Sequence, residues 1–434
     1  MVAATARAGG HGRIGVLGAA GLVAGSMIGS GVYLLPATLG AMGSISILGW
    51  VAATAAALTI AGVFVWLAIL LPASQGLGDY VKAGLGGFFG AQTVMLFWVS
   101  IWVGMVPLAL AAAGAIGFLV PALAGGGARL ALTIAIVWTG ILGAWGGPRL
   151  VARIEGLTLA VGLAPILLIA TVGWFSFRPE VFLASWNPSG APAAEAIRGS
   201  ALSCFWAFLG LESAAAAAAV VRDPARNVPR ATILGVLGAA ALYMAASVVV
   251  MGLVPSARLS RSEAPFADAA GVALGAGLAA VIALCAAVRA TGCLSGWSLV
   301  AAETTRTAAD GGVFPRLFGS RLGRHAGTLN LAVAGGLMTV VAFFTAAPSL
   351  AAQFSTLTNM VSLLSLYTYV LAALSLLRLM RGQPAWRQAA AAATAVAATG
   401  AAIVLIVSAR PVELAWSAGP AVVAALLYAA MRRR

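Results

Sequence analysis

Apolar residues in this chain come in long unbroken runs, and the breaks between them are short and rich in Arg, Pro and Gly. A helix of about 20 apolar residues crosses the hydrocarbon layer of a bilayer. The runs predict twelve spans, at residues 14–39, 45–71, 88–115, 130–145, 157–175, 194–221, 231–254, 272–304, 329–345, 350–379, 389–407 and 414–431. The fold class that follows is an all-α polytopic membrane protein with no large soluble domain. The run beginning at residue 14 is too long for the apolar core of a signal peptide, and no cleavage pattern precedes it, so it is expected to stay as span 1.

Two spans are interrupted. Span 1 contains Gly25-Ser26-Met27-Ile28-Gly29-Ser30-Gly31, and each glycine weakens a helix by about 1 kcal/mol relative to alanine. Span 6 contains Leu209-Gly210-Leu211-Glu212-Ser213, which places a glycine and a carboxylate where a spanning helix should be apolar. Small residues for close helix packing would account for the span 1 glycines alone. The serines, and the matching break five spans later, favour unwound backbone lining a polar cavity.

Breaks in corresponding positions of two halves point to an inverted-repeat transporter with its site at the midplane. The expected organisation is a tail at 1–13, a first five-helix repeat at 14–178, a second at 179–380, and two further helices with a short C-terminus at 381–434.

Composition narrows the class. The chain is 62% hydrophobic and 8% charged, against about 25% charged in soluble domains, so the bilayer is its solvent and partner. The formal charge of +14 would suggest nucleic acid in a soluble protein, but basic patches interleaved with aromatics are lacking, and no nucleic-acid partner is expected. The charge reads instead as topology. Lys82, Arg149, Arg153, Arg222, Arg226, Arg230, Arg306, Arg316, Arg378, Arg381 and Arg387 fall in one set of connections, together with Arg7, Arg13, Arg321, Arg324 and Arg432 to Arg434. The other set has only Arg129, Arg178, Arg258, Arg261 and Arg410. By the positive-inside rule both termini are cytoplasmic, in a multi-pass protein of the inner (plasma) membrane.

Cys204, Cys285 and Cys293 have no paired spacing, and His11 and His325 lie in connections, so no metal or cofactor is expected. A membrane enzyme would need a clustered dyad or metal set. A channel would need a filter or a continuous polar helix face. Neither pattern is present in the sequence.

The motifs carry a resemblance. Gly25 to Tyr33 with Pro36, Trp206 with Leu209 to Ser213, and Arg222-Asp223-Pro224 through Arg230-Ala231-Thr232 resemble the amino acid, polyamine and organocation transporter superfamily. Gly296-Trp297-Ser298-Leu299 and the stretch from Ala308 to Pro315 extend the match along nearly the whole chain. Within the superfamily the chain is most similar to the basic amino acid/polyamine antiporters, the arginine/agmatine antiporters in particular.

That resemblance implies two inverted five-helix repeats with spans 1 and 6 unwound. It also implies exchange of an external cationic, arginine-like amino acid for an internal amine, and a homodimer, as such antiporters often form. It places the substrate carboxylate at Ser26, Met27, Gly29, Ser30 and Gly31, and the amino group at Trp206, Ala207 and Leu209. Physical chemistry agrees, since free N–H groups at a helix N-terminus favour an anion. Trp206 and Trp297 match two tryptophans that clasp the substrate side chain, where indole faces attract a guanidinium, and Ser365 joins the binding set. Glu212 and Tyr369 match inner-gate residues. A carboxylate inside an apolar segment is a functional candidate in its own right, for gating or for proton exchange.

Met105 stands where the arginine antiporters have a guanidinium-binding asparagine, which puts arginine itself in question. Arg289 lies in the middle of span 8, where the resembling proteins have a small residue. An intramembrane arginine pairs with something, and Glu303, Glu155 and a substrate carboxylate are its candidates. Facing the cavity, it would oppose a cationic side chain. The alternative function is therefore a neutral or acidic amino acid carrier, proton-coupled through Glu212. Hydroxyls at Thr291 and Ser295 leave sodium coupling open.

Overall fold

Backbone polar groups cut off from water must be satisfied within their own segment, and helices do this. Ten helices among the described residues are long and apolar enough to cross a membrane, or eleven when one bent pair counts as a single span. The computed structural model describes residues 14–72, 74, 76–213, 221–320, 324–347 and 349–432, with 30, 225, 324–326 and 430–432 given by backbone alone. The expected tail at 1–13, the inner part of span 6 at 214–220, Arg321 and the last two arginines lie outside the described residues.

The first span is the bent pair: α1 (Val16–Met27), a 3-10 turn (Ser30–Tyr33) and α2 (Leu35–Gly40), with 59° between the halves. Then follow α3 (Ser46–Leu70), the short connecting helix α4 (Leu77–Leu85), α5 (Gly87–Leu119), α6 (Gly126–Trp145) and α7 (Pro148–Val172). The chain goes on through α8 (Pro179–Ala184), α9 (Ala193–Phe205), α10 (Pro224–Leu253), α11 (Ser256–Leu259), α12 (Pro265–Ala273) and α13 (Ala276–Asp310). It continues with α14 (Arg324–Phe344) and α15 (Leu350–Leu379), and α16 (Ala385–Val407) and α17 (Pro411–Arg432) complete the order. Proline at the first turn starts α7, α8, α10 and α12, where its missing N–H would have had no helical partner.

Two of the boundaries that differ from the hydropathy reading bear on the site, and each differs for a physical reason. The fifth span begins at Pro148 rather than 157, because a helix propagates past the edge of its apolar run. Glu155 therefore lies inside α7, not before it. The eighth span begins at Ala276, and residues 265–273 form the separate α12, started by Pro265 with Asp268 in its first turn.

The major packings come in exchanged pairs. α5 packs on α13, span 3 on span 8. α9 packs on α3, span 6 on span 2, and α10 packs on α1, span 7 on span 1. Likewise α13 packs on α7, span 8 on span 5, while α15 packs on α5, span 10 on span 3. Swapping each span for the one five places away maps these pairs onto one another. The centre of the bundle is α15, with 78% of its most apolar window buried, whereas α17 has 17% and forms the periphery.

The end of the bundle with few basic residues neutralises most of them. Arg129 pairs with Glu263 at 3.2 Å, Arg258 with Asp268 at 2.8 Å and Arg410 with Glu413 at 2.6 Å.

Candidate functional site

The two breaks meet. α1 ends at Met27, and the Ile28 N–H still donates to Ala24 O at 2.8 Å. Gly29 is then fully extended, and the chain resumes as the 3-10 turn from Ser30. The span 1 break thus lies at Ile28 and Gly29, and Gly25 stays helical. On the facing side, α9 gives way to a 3-10 turn over Trp206–Phe208, Leu209 is extended, and Gly210 takes φ +102°, a left-handed value that glycine adopts at no steric cost.

Ser26 joins the breaks. Its Oγ lies 2.7 Å from Ser213 Oγ, 3.1 Å from Gly210 O and 2.7 Å from Val23 O. The Trp206 indole lies directly on Gly31, so that a Cβ at Gly31 would collide with the ring. Its edge meets Phe354 at 5.4 Å and 82°. The sequence reading did not select Phe354, because a fully buried phenylalanine in an apolar span carries no local signal. Ala207 and Met27 are buried beside the junction, and Leu209 is half-buried.

Towards the basic end of the bundle, Tyr369 Oη donates to Glu212 Oε2 at 2.8 Å, joining the span 6 break to α15. Phe64 and Phe205 present edge contacts to the tyrosine ring at 5.2 and 6.5 Å. The two expected gate residues are thus in direct contact.

The other expected residues are more dispersed. Met105 is buried in α5, and Ser298 donates to its sulfur at 3.6 Å. Trp297 is half-buried beside Ser298, and no ring contact joins it to Trp206. Ser365 is buried in α15, where its carbonyl accepts from Thr368. Thr291 turns its hydroxyl back onto Ala287 O at 2.8 Å.

Arg289 has a definite partner. Its Nη1 lies 3.0 Å from Glu155 Oε2, and its Nη2 donates to Ile28 O at 3.2 Å, at the span 1 break. Glu303 bonds Arg306 instead, at 2.6 Å. A further buried chain runs from Ser203 to Asn359 Oδ1 at 3.1 Å, and from Asn359 Nδ2 to Glu413 Oε1 at 3.0 Å. Asn359 in the middle of span 10 was the signal for it, a carboxamide in an apolar run.

Among solved structures, a manganese transporter of Eremococcus coleocola shares the fold, with a TM-score of 0.56 over 96% of this chain and 92% of that one at 15% identity. Among curated relatives, the putrescine transporter PotE of Escherichia coli (strain K12) is 32% identical over 358 residues, 80% of this chain and 79% of that protein. The cadaverine/lysine antiporter of the same strain is 33% identical over 372 residues, 84% and 83% of the two chains. The family model for amino acid permeases matches residues 14–430, and the chain belongs to that family of membrane transporters.

Proposed function

We propose that the protein is an alternating-access exchanger that carries a cationic amino acid against an internal amine, such as its decarboxylated product. The observation that carries this reading is the junction of the two broken helices, Ser26 on Gly210 and Ser213, beneath an indole lying on Gly31. Free N–H groups of the turn at Ser30–Tyr33 suit a carboxylate. Where α9 unwinds, Trp206 O and Phe208 O accept from the Leu209 and Leu211 N–H groups, and the carbonyls of Ala207 and Leu209 suit an ammonium group. Trp206 and Trp297 supply faces for the cationic side chain, and Glu212 with Tyr369 forms the cytoplasmic gate. The kinship with proteins named for putrescine and for cadaverine and lysine supports the same class.

Arginine and lysine differ here. A guanidinium has five N–H donors to satisfy and an ammonium three. Met105, already engaged by Ser298, offers no carboxamide for the extra donors. Lysine, ornithine and their diamines therefore fit this site better than arginine.

The asymmetry of basic residues supports cytoplasmic termini and an inner-membrane location. The exchanged packing of α3, α9, α1 and α10 supports repeats at 14–178 and 179–380, with 381–434 added. A homodimer is part of the proposal on the resemblance alone. The alternative of a neutral or acidic amino acid carrier rested on a charge at Arg289 facing the cavity, and the Glu155 partner removes that support.

The test is uptake of labelled lysine or arginine into proteoliposomes loaded with one unlabelled amine or amino acid at a time. Saturable uptake that requires an internal cationic amine or amino acid is expected. No uptake of either under any internal load would reject the proposal.

A further inference from the structure

We infer that the buried Arg289–Glu155 ion pair is a charge-compensation element that sets which substrate charge the site accepts. The inference rests on the location of the substrate site proposed above. Arg289 projects from the middle of α13 with its side chain 5% exposed, and Glu155 from α7 with 14%. One arm of the guanidinium takes the carboxylate, and the other takes the Ile28 carbonyl at the span 1 break. A full positive charge is thus fixed one hydrogen bond from the break, and Glu155 cancels it. Charges so placed interact strongly, because the surroundings screen poorly.

The surrounding helices are shaped for the pair. Gly296 of α13 sits where any Cβ would collide with the Glu155 carboxylate, and Gly162 of α7 sits where any Cβ would collide with the Arg289 stem. Each helix is bare opposite the other's charged residue. Stability alone does not explain this arrangement, since replacing a buried ion pair by apolar residues is often neutral or stabilising. What the pair supplies, and an apolar contact would not, is a hydrogen bond to the break at zero net charge. A substrate with one or two positive charges then meets no repulsion.

The experiment compares competition constants for cadaverine, lysine and norleucine, carrying two, one and no net positive charges, on purified protein and three variants. Glu155→Gln leaves Arg289 uncompensated, and the preference for cadaverine over norleucine should fall by about tenfold per substrate charge. Arg289→Met leaves the carboxylate alone, and the preference should rise. The double variant should return to within about threefold of wild type.

Equal weakening for all three ligands, or unchanged ratios in the single variants, would overturn the inference. If one single variant does not fold, the sign of the shift in the other decides. If neither folds while the double variant does, the pair belongs to the scaffold and the inference fails. Wild-type protein that binds no cationic ligand would reject the proposed exchange instead. The inference would then be read on neutral against acidic amino acids, where Glu155→Gln should favour the acidic ones.

Discussion

Tyr369→Phe tests the proposed gate, because it removes one oxygen and leaves the ring. The edge contacts of Phe64 and Phe205 on that ring survive the change, so packing is held constant while the 2.8 Å hydrogen bond to Glu212 is lost. In a buried setting such a bond contributes about 1 to 3 kcal/mol, the upper end applying if the carboxyl is ionised. At about 1.4 kcal/mol per factor of ten, the equilibrium between closed and open cytoplasmic gates should shift by about 5- to 150-fold towards open. Hydrogen–deuterium exchange of peptides covering residues 204–213 and 365–372 reads the shift directly, as faster exchange in the variant. Transport measured from the cytoplasmic face reads it as a lower half-saturation constant on that side only. Glu212→Gln keeps an acceptor and should show a smaller effect of the same sign. If protection and both half-saturation constants stay within twofold of wild type in Tyr369→Phe, the pair is not a gate.

Trp206→Ala should weaken binding of a cationic substrate by about 2- to 30-fold, the range of an indole–cation contact of about 0.5 to 2 kcal/mol, and retained full exchange would reject the indole as a substrate contact. Glu413→Ala strips Asn359 and Arg410 of their shared acceptor and should lower stability by about 2 kcal/mol, read as a lower melting temperature in detergent. A melting curve matching wild type would show that the carboxylate is not structural. In a background with Cys204, Cys285 and Cys293 replaced, a membrane-impermeant maleimide should label Ser189→Cys on intact cells and Gln388→Cys only after permeabilisation, and the reverse order would invert the proposed topology.

How much of this was legible depends on the range of the interaction. Spans and charge asymmetry follow from local composition, and the hydropathy runs match the ten or eleven apolar helices of the described residues. The break in span 1 was visible in its glycines, although its position was not. Gly25 stays within α1, because one glycine costs a helix only about 1 kcal/mol, and the chain unwinds at Ile28 and Gly29, where Ser26 and Arg289 hold it. Glu212 and Tyr369 were identified by resemblance and lie together. Glu155 was misplaced because its charge is balanced from another helix 134 residues away, which no local window reports. Asn359 stood out locally in its apolar run, but its partner Glu413, 54 residues away, did not. α12 was legible and overlooked, since Pro265 and Asp268 form an ordinary helix start.

The exchanged packing of spans has a consequence for energetics. Gly49 of α3 lies against Ser200 of α9, and Gly235 of α10 lies against Val23 of α1, so a close glycine contact occurs once in each of the two exchanged packings. If opening to one side loosens one contact and opening to the other side loosens its counterpart, the two forms are made of nearly the same interactions in traded places. Their free energies then nearly cancel, and a substrate with a modest differential affinity is enough to tip the balance. Enlarging Gly49 would bias the protein to one side of the membrane, and enlarging Gly235 would bias it to the other.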